Sequence, residues 1–263
     1  MTDAAVPVSR FTPDTFSASR VISKASAVFL QNLVPFLAIA AAVRLPPVLF
    51  QAFAAPRAAS DPTVDFVALF LIMLGQALIV PGTIAALRGR RVGLAAAWTI
   101  ARSRLLPITG LAAILVAALC VMLGLAFVVA SALIDHVPTV GILVGLALAY
   151  VPGLMLFITC FVAVPVCVTE RLGPFASIGR SRALTKGCRW RIFGLTLLVF
   201  IPAFLVSGLI IVAARLPVTE HLLELAWSTI WSAFLACLVT SVHHDLRVAK
   251  EGVDTDSIPA VFD

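Results

Sequence analysis

Charge is what this sequence has least of. Only 12% of its 263 residues are Asp, Glu, Lys or Arg, against about 25% in an ordinary soluble domain. That shortage argues against a soluble globular chain. A disulfide framework is missing as well. The five cysteines, Cys120, Cys160, Cys167, Cys188 and Cys237, are odd in number and lie mostly inside apolar runs, so they read as small buried hydrophobes or reduced thiols. The opening MTDAAVPVSRFTPDTF has no basic stretch leading directly into an apolar one. We therefore expect no cleaved signal peptide and a first hydrophobic helix that stays in the mature chain. Catalytic patterns are absent too: there is no nucleophile–base–carboxylate set, no P-loop and no nucleotide fingerprint. These gaps point away from an enzyme and call for no cofactor.

What fills the space is apolar: 61% of the residues, with a mean hydropathy of +1.09. A spanning helix needs roughly 20 mainly apolar residues to cross about 30 Å of hydrocarbon. Six stretches qualify, at about 33–55, 65–87, 106–134, 140–168, 192–214 and 222–243. Prolines 46, 47, 81, 152, 165 and 202 fall inside them and are tolerable as kinks in membrane helices. The fold expected is an all-α integral membrane protein with six transmembrane helices in three hairpins.

Orientation follows from Lys and Arg alone. Of the 19 such residues, 16 fall in the N-terminal segment, the connections after spans two and four, and the C-terminal tail; Arg57 and Arg215 lie opposite, and Arg44 lies within a span. Both termini should be cytoplasmic, in a bacterial inner membrane. The same connections carry a repeated pattern: ISKAS from Ile22, IARSR from Ile100 and IGRSR from Ile178, each 78 residues after the last. That period divides a single membrane domain, 14–247, into units at about 14–91, 92–169 and 170–247, with tails at 1–13 and 248–263. Each unit holds a cytoplasmic basic segment followed by a two-span hairpin, as expected of a duplicated supersecondary unit; the alternative is evenly spaced hairpins that match by chance at a few positions.

The basic segments differ in their helical patterning. In the first, Val21, Ile22, Ala25, Val28 and Phe29 gather on one face; in the second, Leu94, Trp98, Ala101 and Leu105 do. Both fit helices lying in the headgroup plane. In the third, Arg182, Lys186 and Arg189 share a face with Phe175 and Ile178, so a cationic stripe replaces the lipid-facing rim.

VAVPVCVTERLGPFASIGRSRALTKGCRWRIFGL resembles the membrane domain attached to some bacterial glycerophosphodiester phosphodiesterases, and its stand-alone integral-membrane relatives. The resemblance is carried by Glu170, Arg180, Ser181, Leu184, Thr185, Gly187, Trp190 and Phe193, and at the end of the chain by Asp245, Leu246, Arg247, Glu251 and Gly252. His243 and His244 depart from it, standing where those relatives more often have aromatics. No stretch is left to fold a phosphodiesterase domain, so the resemblance implies a membrane architecture and not the enzymatic activity.

Several residues are candidates for a site. Arg102, Arg104, Arg180, Arg182, Lys186, Arg189 and Arg191 could meet anionic lipid or a partner. Glu170, Asp245 and Arg247 read as a structural polar joint, Glu170 pairing with an arginine or favouring the helix N-terminus near Pro174. Arg44, with Gln76, could form a polar site inside the membrane, since an arginine at that depth costs at least about 2.5 kcal/mol; alternatively, the helix breaks at Leu45-Pro46-Pro47 and Arg44 sits nearer water. The HHD run at 243–245 is a poor metal site because adjacent helical residues point about 100° apart. Nucleic acid is not an expected partner, because the basic residues hug the membrane. The function expected is non-catalytic: organising or sensing anionic lipid, or assembling a membrane complex with another membrane protein or a second copy. The alternative is a small transporter or channel component built around Arg44 and Gln76.

Overall fold

A computed structural model describes residues 17–53, 62–90, 99, 102–134, 137–213 and 217–251. Among these residues the chain is helical and has no strand. Its helices are α1 (Ala18–Gln31), α2 (Leu33–Phe53), α3 (Pro62–Leu87), α4 (Leu105–Ile134), α5 (Pro138–Cys160), α6 (Ala163–Thr169), α7 (Pro174–Thr185), α8 (Arg189–Ala213) and α9 (Pro217–Glu251). Six elements are long and apolar enough to cross a membrane: α2, α3, α4, α5 continued by α6, α8 and α9. The protein is an all-α, multi-pass membrane protein, with spans close to those expected.

Proline acts differently at different places. α2 runs unbroken through Pro46 and Pro47, so Arg44 stays in mid-helix and the expected alternative of two short helices does not occur. Span four does break, at Phe161–Val162 between α5 and α6. Pro165 explains the position, since its ring crowds the carbonyl four residues earlier, that of Phe161. All of Ala163 to Val168 is buried, so this short helix lies among its neighbours rather than against lipid.

The hairpins are not packed alike. α4 and α5 form the tightest pair. A Cβ on Gly145 would lie 2.6 Å from the Ala130 Cβ, and one on Gly141 would lie 2.8 Å from the Ile134 backbone nitrogen. Without a hydrophobic drive between helices in lipid, such close approach is the main source of association. α2 and α3 pair along their length, and α9 packs on both and on α1 more extensively than on its own neighbour α8. The buried side of α9 carries a run of small residues (Ser232, Ala233, Ala236, Cys237, Thr240, Ser241) beside the larger Leu238, Val242 and Leu246. Rings stand between α8 and α9 instead, with Phe200 edge-on to Trp231 at 5.2 Å. Buried hydroxyls close on their own helix: Thr240 Oγ1 donates to Ala236 O at 2.7 Å and Ser241 Oγ to Cys237 O at 2.8 Å, which removes their cost in an apolar setting.

The α1 stripe forms as its periodicity predicts, with Val21, Ala25, Val28 and Phe29 buried. What covers it is protein, chiefly α9, rather than lipid. Only Asn32 separates α1 from α2, and the hydrogen-bond ladder passes through it, Asn32 N–H to Val28 O and Phe36 N–H to Asn32 O. In the second basic segment, Leu94, Trp98 and Ala101 lie outside the described residues, and Leu105 opens α4. Helix α9 has 35 residues, about 52 Å at 1.5 Å each, against a hydrocarbon thickness of about 30 Å. Some of the helix must stand clear of the apolar layer, and its last turns, from His243 to Glu251, carry a dense run of polar residues.

Candidate functional site

The connection from α6 to α7 is built by local chemistry. Glu170 follows the last turn of α6, Arg171 takes a left-handed φ of 54°, Gly173 is the N-cap of α7 and Pro174 its first residue, a position that needs no backbone N–H. Ser177 Oγ donates to Gly173 O at 2.8 Å, and Ser181 Oγ donates to Thr159 O of α5 at 2.7 Å. These bonds hold α7 across the end of span four and turn Arg180 back over Glu170.

There, Arg180 Nε donates to Glu170 Oε2 at 2.8 Å, and its Nη2 donates to Glu251 at the end of α9. Arg247 joins both carboxylates, 3.7 Å from Glu170 Oε1 and 3.2 Å from Glu251 Oε2. His243, one turn earlier on α9, is buried and places Nε2 3.5 Å from Glu170 Oε1. Neither of those two atoms has a partner of ordinary hydrogen-bond geometry. Burial by itself would raise the Glu170 carboxyl, but the His243 imidazole and the Arg180 guanidinium outweigh it and hold the group below the usual carboxylate range. Burial would lower Arg180, and Glu170 and Glu251 more than reverse that. The result is a five-membered ionic joint between the α6–α7 connection and the end of α9.

Two further contacts fasten the same end of α9. Asp245 accepts from Lys24 Nζ of α1 at 2.8 Å, and His244 Nδ1 lies 3.4 Å from it. The two histidines thus serve different carboxylates, and among the described residues no group of three His, Cys, Asp or Glu is placed to hold a metal. Lys250 Nζ donates to Ala183 O and Lys186 O, both at 2.6 Å, capping the C-terminal carbonyls of α7, which a helix leaves unpaired. Residues 248–251, expected in a tail, are the last turn of α9, and two of them hold the joint.

The expected cationic stripe takes another form. α7 ends at Thr185 and Gly187 has a φ of 88°, so Arg182, Lys186 and Arg189 do not follow one helical face. Gly187 turns the chain, and the three cations instead line one groove of about 400 Å³ with Gly179 and Ala183. Arg180, expected among the lipid-facing cations, is committed to two carboxylates. Arg102 is exposed, and Arg104 Nη1 reaches Arg171 O at 3.4 Å. Arg191 is half-buried at the start of α8. Arg44 is half-buried in α2; its Nε is shut off from solvent without an acceptor, and Glu224 of α9 is close enough to act on it electrostatically. Gly75 abuts Val43, which sets Gln76 and Arg44 at one level of adjacent helices, with no hydrogen bond between them.

Sequence reasoning missed Lys24, His243 and Lys250. Lys24 and Asp245 are 221 residues apart, and no local pattern links them. The terminal motif contained Glu251, whose spacing from Arg247 is that of a helical ion pair, and this was the one signal for extending α9. A cavity of about 500 Å³ between α4 and α5 has almost wholly apolar walls, including Val121, Leu125, Leu148 and Pro152, and offers no chemistry.

Residues 63–260 match DUF6159, a family of unknown function. The match covers three quarters of the chain, which therefore belongs to that family. No curated protein and no solved structure matches it. The matched stretch contains the whole five-membered joint and the groove; α1, Lys24 and Arg44 precede it.

Proposed function

We propose that this DUF6159 protein is a non-catalytic membrane protein that organises or senses anionic lipid at the cytoplasmic face of a bacterial inner membrane. One observation carries the reading. The basic residues at one end of the bundle divide into two sets. Lys24, Arg180, Arg247 and Lys250 are bound to groups of the protein itself, whereas Arg182, in the last turn of α7, and Lys186, just past its end, are exposed where Lys250 caps the helix. The first set builds a platform and the second is presented from it. A basic residue near an anionic leaflet is attracted by about 1 kcal/mol. The 78-residue spacing of the basic segments fits the same picture, with each hairpin entered from a cationic joint.

The test is the lipid that stays with the protein in mild detergent. Neutralising Arg182 and Lys186 together, as Arg182→Gln/Lys186→Gln, removes about 2 kcal/mol of attraction, a fall of about thirtyfold in the preference for anionic over zwitterionic lipid. An unchanged ratio in a folded double variant refutes the proposal.

A second reading, a small transporter or channel component, is favoured by Arg44 alone, whose Nε has no acceptor in mid-span. It requires an anionic or polar solute to meet that guanidinium. An Arg44→Leu protein that folds and supports growth like the native one removes it.

A further inference from the structure

The α7–α8 turn differs from a flat basic surface in having a shaped recess. Its volume of about 400 Å³ lies within the roughly 300–1,000 Å³ usual for small-molecule sites. Gly179 is exposed in the lining, and a Cβ added there would meet nothing within 4 Å, so a larger side chain would project into open space. Arg182, Lys186 and Arg189 line the recess and no carboxylate does. Glu170 and Glu251, the carboxylates of the adjoining joint, are already engaged by Arg180 and Arg247.

Two details make the recess specific for an anion. The carbonyls of Ala183 and Lys186 would repel one, but the Lys250 ammonium is bound to both. Arg189, half-buried at the start of α8, adds a third cation to the lining, and no carboxylate of the lining neutralises it. Depth is set by aromatic rings. Trp190 is 84% exposed and Phe175 75% exposed, one beside Arg189 and the other a turn before Gly179 in sequence. A tryptophan ring, apolar with one polar edge, settles at headgroup level where a span enters the membrane.

We infer that this recess is a binding site for a phosphate ester, and that its occupant is the phosphomonoester headgroup of an anionic phospholipid. A monoester offers three terminal oxygens and up to two charges, an acceptor for each of the three cations. A diester offers two oxygens and one charge. The inference rests on the lipid-organising reading but asks more of the molecule. That reading needs only exposed positive charge, whereas this one needs the shape around Gly179.

The experiment is a calorimetric titration of the protein in neutral detergent micelles with short-chain phosphatidic acid, short-chain phosphatidylglycerol and inorganic phosphate. Phosphatidic acid should bind saturably with one site, at least about tenfold tighter than either of the others. Gly179→Leu adds a bulky side chain to the lining and leaves every charge in place. It should weaken phosphatidic acid at least about tenfold while unfolding at the native temperature. Arg189→Gln should weaken it similarly. Native-strength binding by Gly179→Leu, or binding without saturation, overturns the site. Inorganic phosphate binding as tightly as phosphatidic acid overturns its assignment to lipid. Loss of anionic-lipid retention in Arg182→Gln/Lys186→Gln alongside normal titration by Gly179→Leu would leave the surface reading standing and remove the recess.

Discussion

Glu170→Gln keeps the size of the side chain and removes the charge on which Arg180, His243 and Arg247 converge. A hydrogen bond to a charged group contributes about 1.5–3 kcal/mol, and breaking a fully buried ion pair costs about 3–5 kcal/mol. The Glu170 side chain is 14% exposed and that of Arg180 is 32% exposed. Water therefore screens part of the orphaned charge, and Glu251 still holds Arg180. We place the loss at about 2–3 kcal/mol, which for a chain of this length lowers Tm by about 4–12 °C. The pH dependence supplies a second readout. The folded carboxyl is held below its ordinary value of 4.5, so the stability it contributes is complete above that value and is lost as pH falls through the depressed one. Melting curves in detergent between pH 7 and pH 3 should show the native protein losing its advantage over Glu170→Gln toward the acid end, the difference cancelling the titration of every other group. Pairing with Arg180→Gln in a double-mutant cycle should give a coupling of about 1–3 kcal/mol. Melting of Glu170→Gln within about 1 °C of native at pH 7, or a difference that does not shrink with acid, refutes the joint as an energetic unit.

Three further outcomes follow from the same geometry. Gly187→Ala puts a side chain at a φ of 88° and should cost about 1–2 kcal/mol, with Gly187→Asn less costly; equal melting of all three proteins would show that the turn is not held there. Lys250→Met leaves the carbonyls of Ala183 and Lys186 without their donor and should speed amide hydrogen exchange across 184–188 at least about tenfold, corresponding to roughly 1.5 kcal/mol; unchanged protection refutes the cap. Gly141→Leu drives a side chain into the Ile134 backbone and should lower Tm more than Gly124→Leu, whose Cβ would meet nothing within 4 Å; the reverse order would contradict the α4–α5 packing.

The ionic joint was partly legible before the structure. Glu170, Arg180, Arg247 and Glu251 lie in two charged stretches of the sequence, and each stretch by itself looks like ordinary basic punctuation between spans. What joins them is the docking of α9 against α6 and α7, which no local pattern encodes. Arg180 was grouped with the lipid-facing cations because sequence reports a charge and not its partner. The cationic stripe was mistaken for a helical face for a related reason: periodicity continues through residue 186 on paper, while Gly187 ends the helix in space.

The sequence by itself determined that the chain is helical and that, among the described residues, six helices are long and apolar enough to cross a membrane. Both follow from hydropathy summed over about 20 residues, a local quantity that the bilayer reads directly. Which helices meet was decided only by the tertiary structure. In an apolar solvent every span is equally content against lipid, so association depends on close fit and on polar partners. Small side chains on α9 select α2 and α3, glycines select the α4–α5 pair, and the charges at the end of α9 select Lys24, Glu170, Arg180 and the carbonyls of the α7–α8 turn.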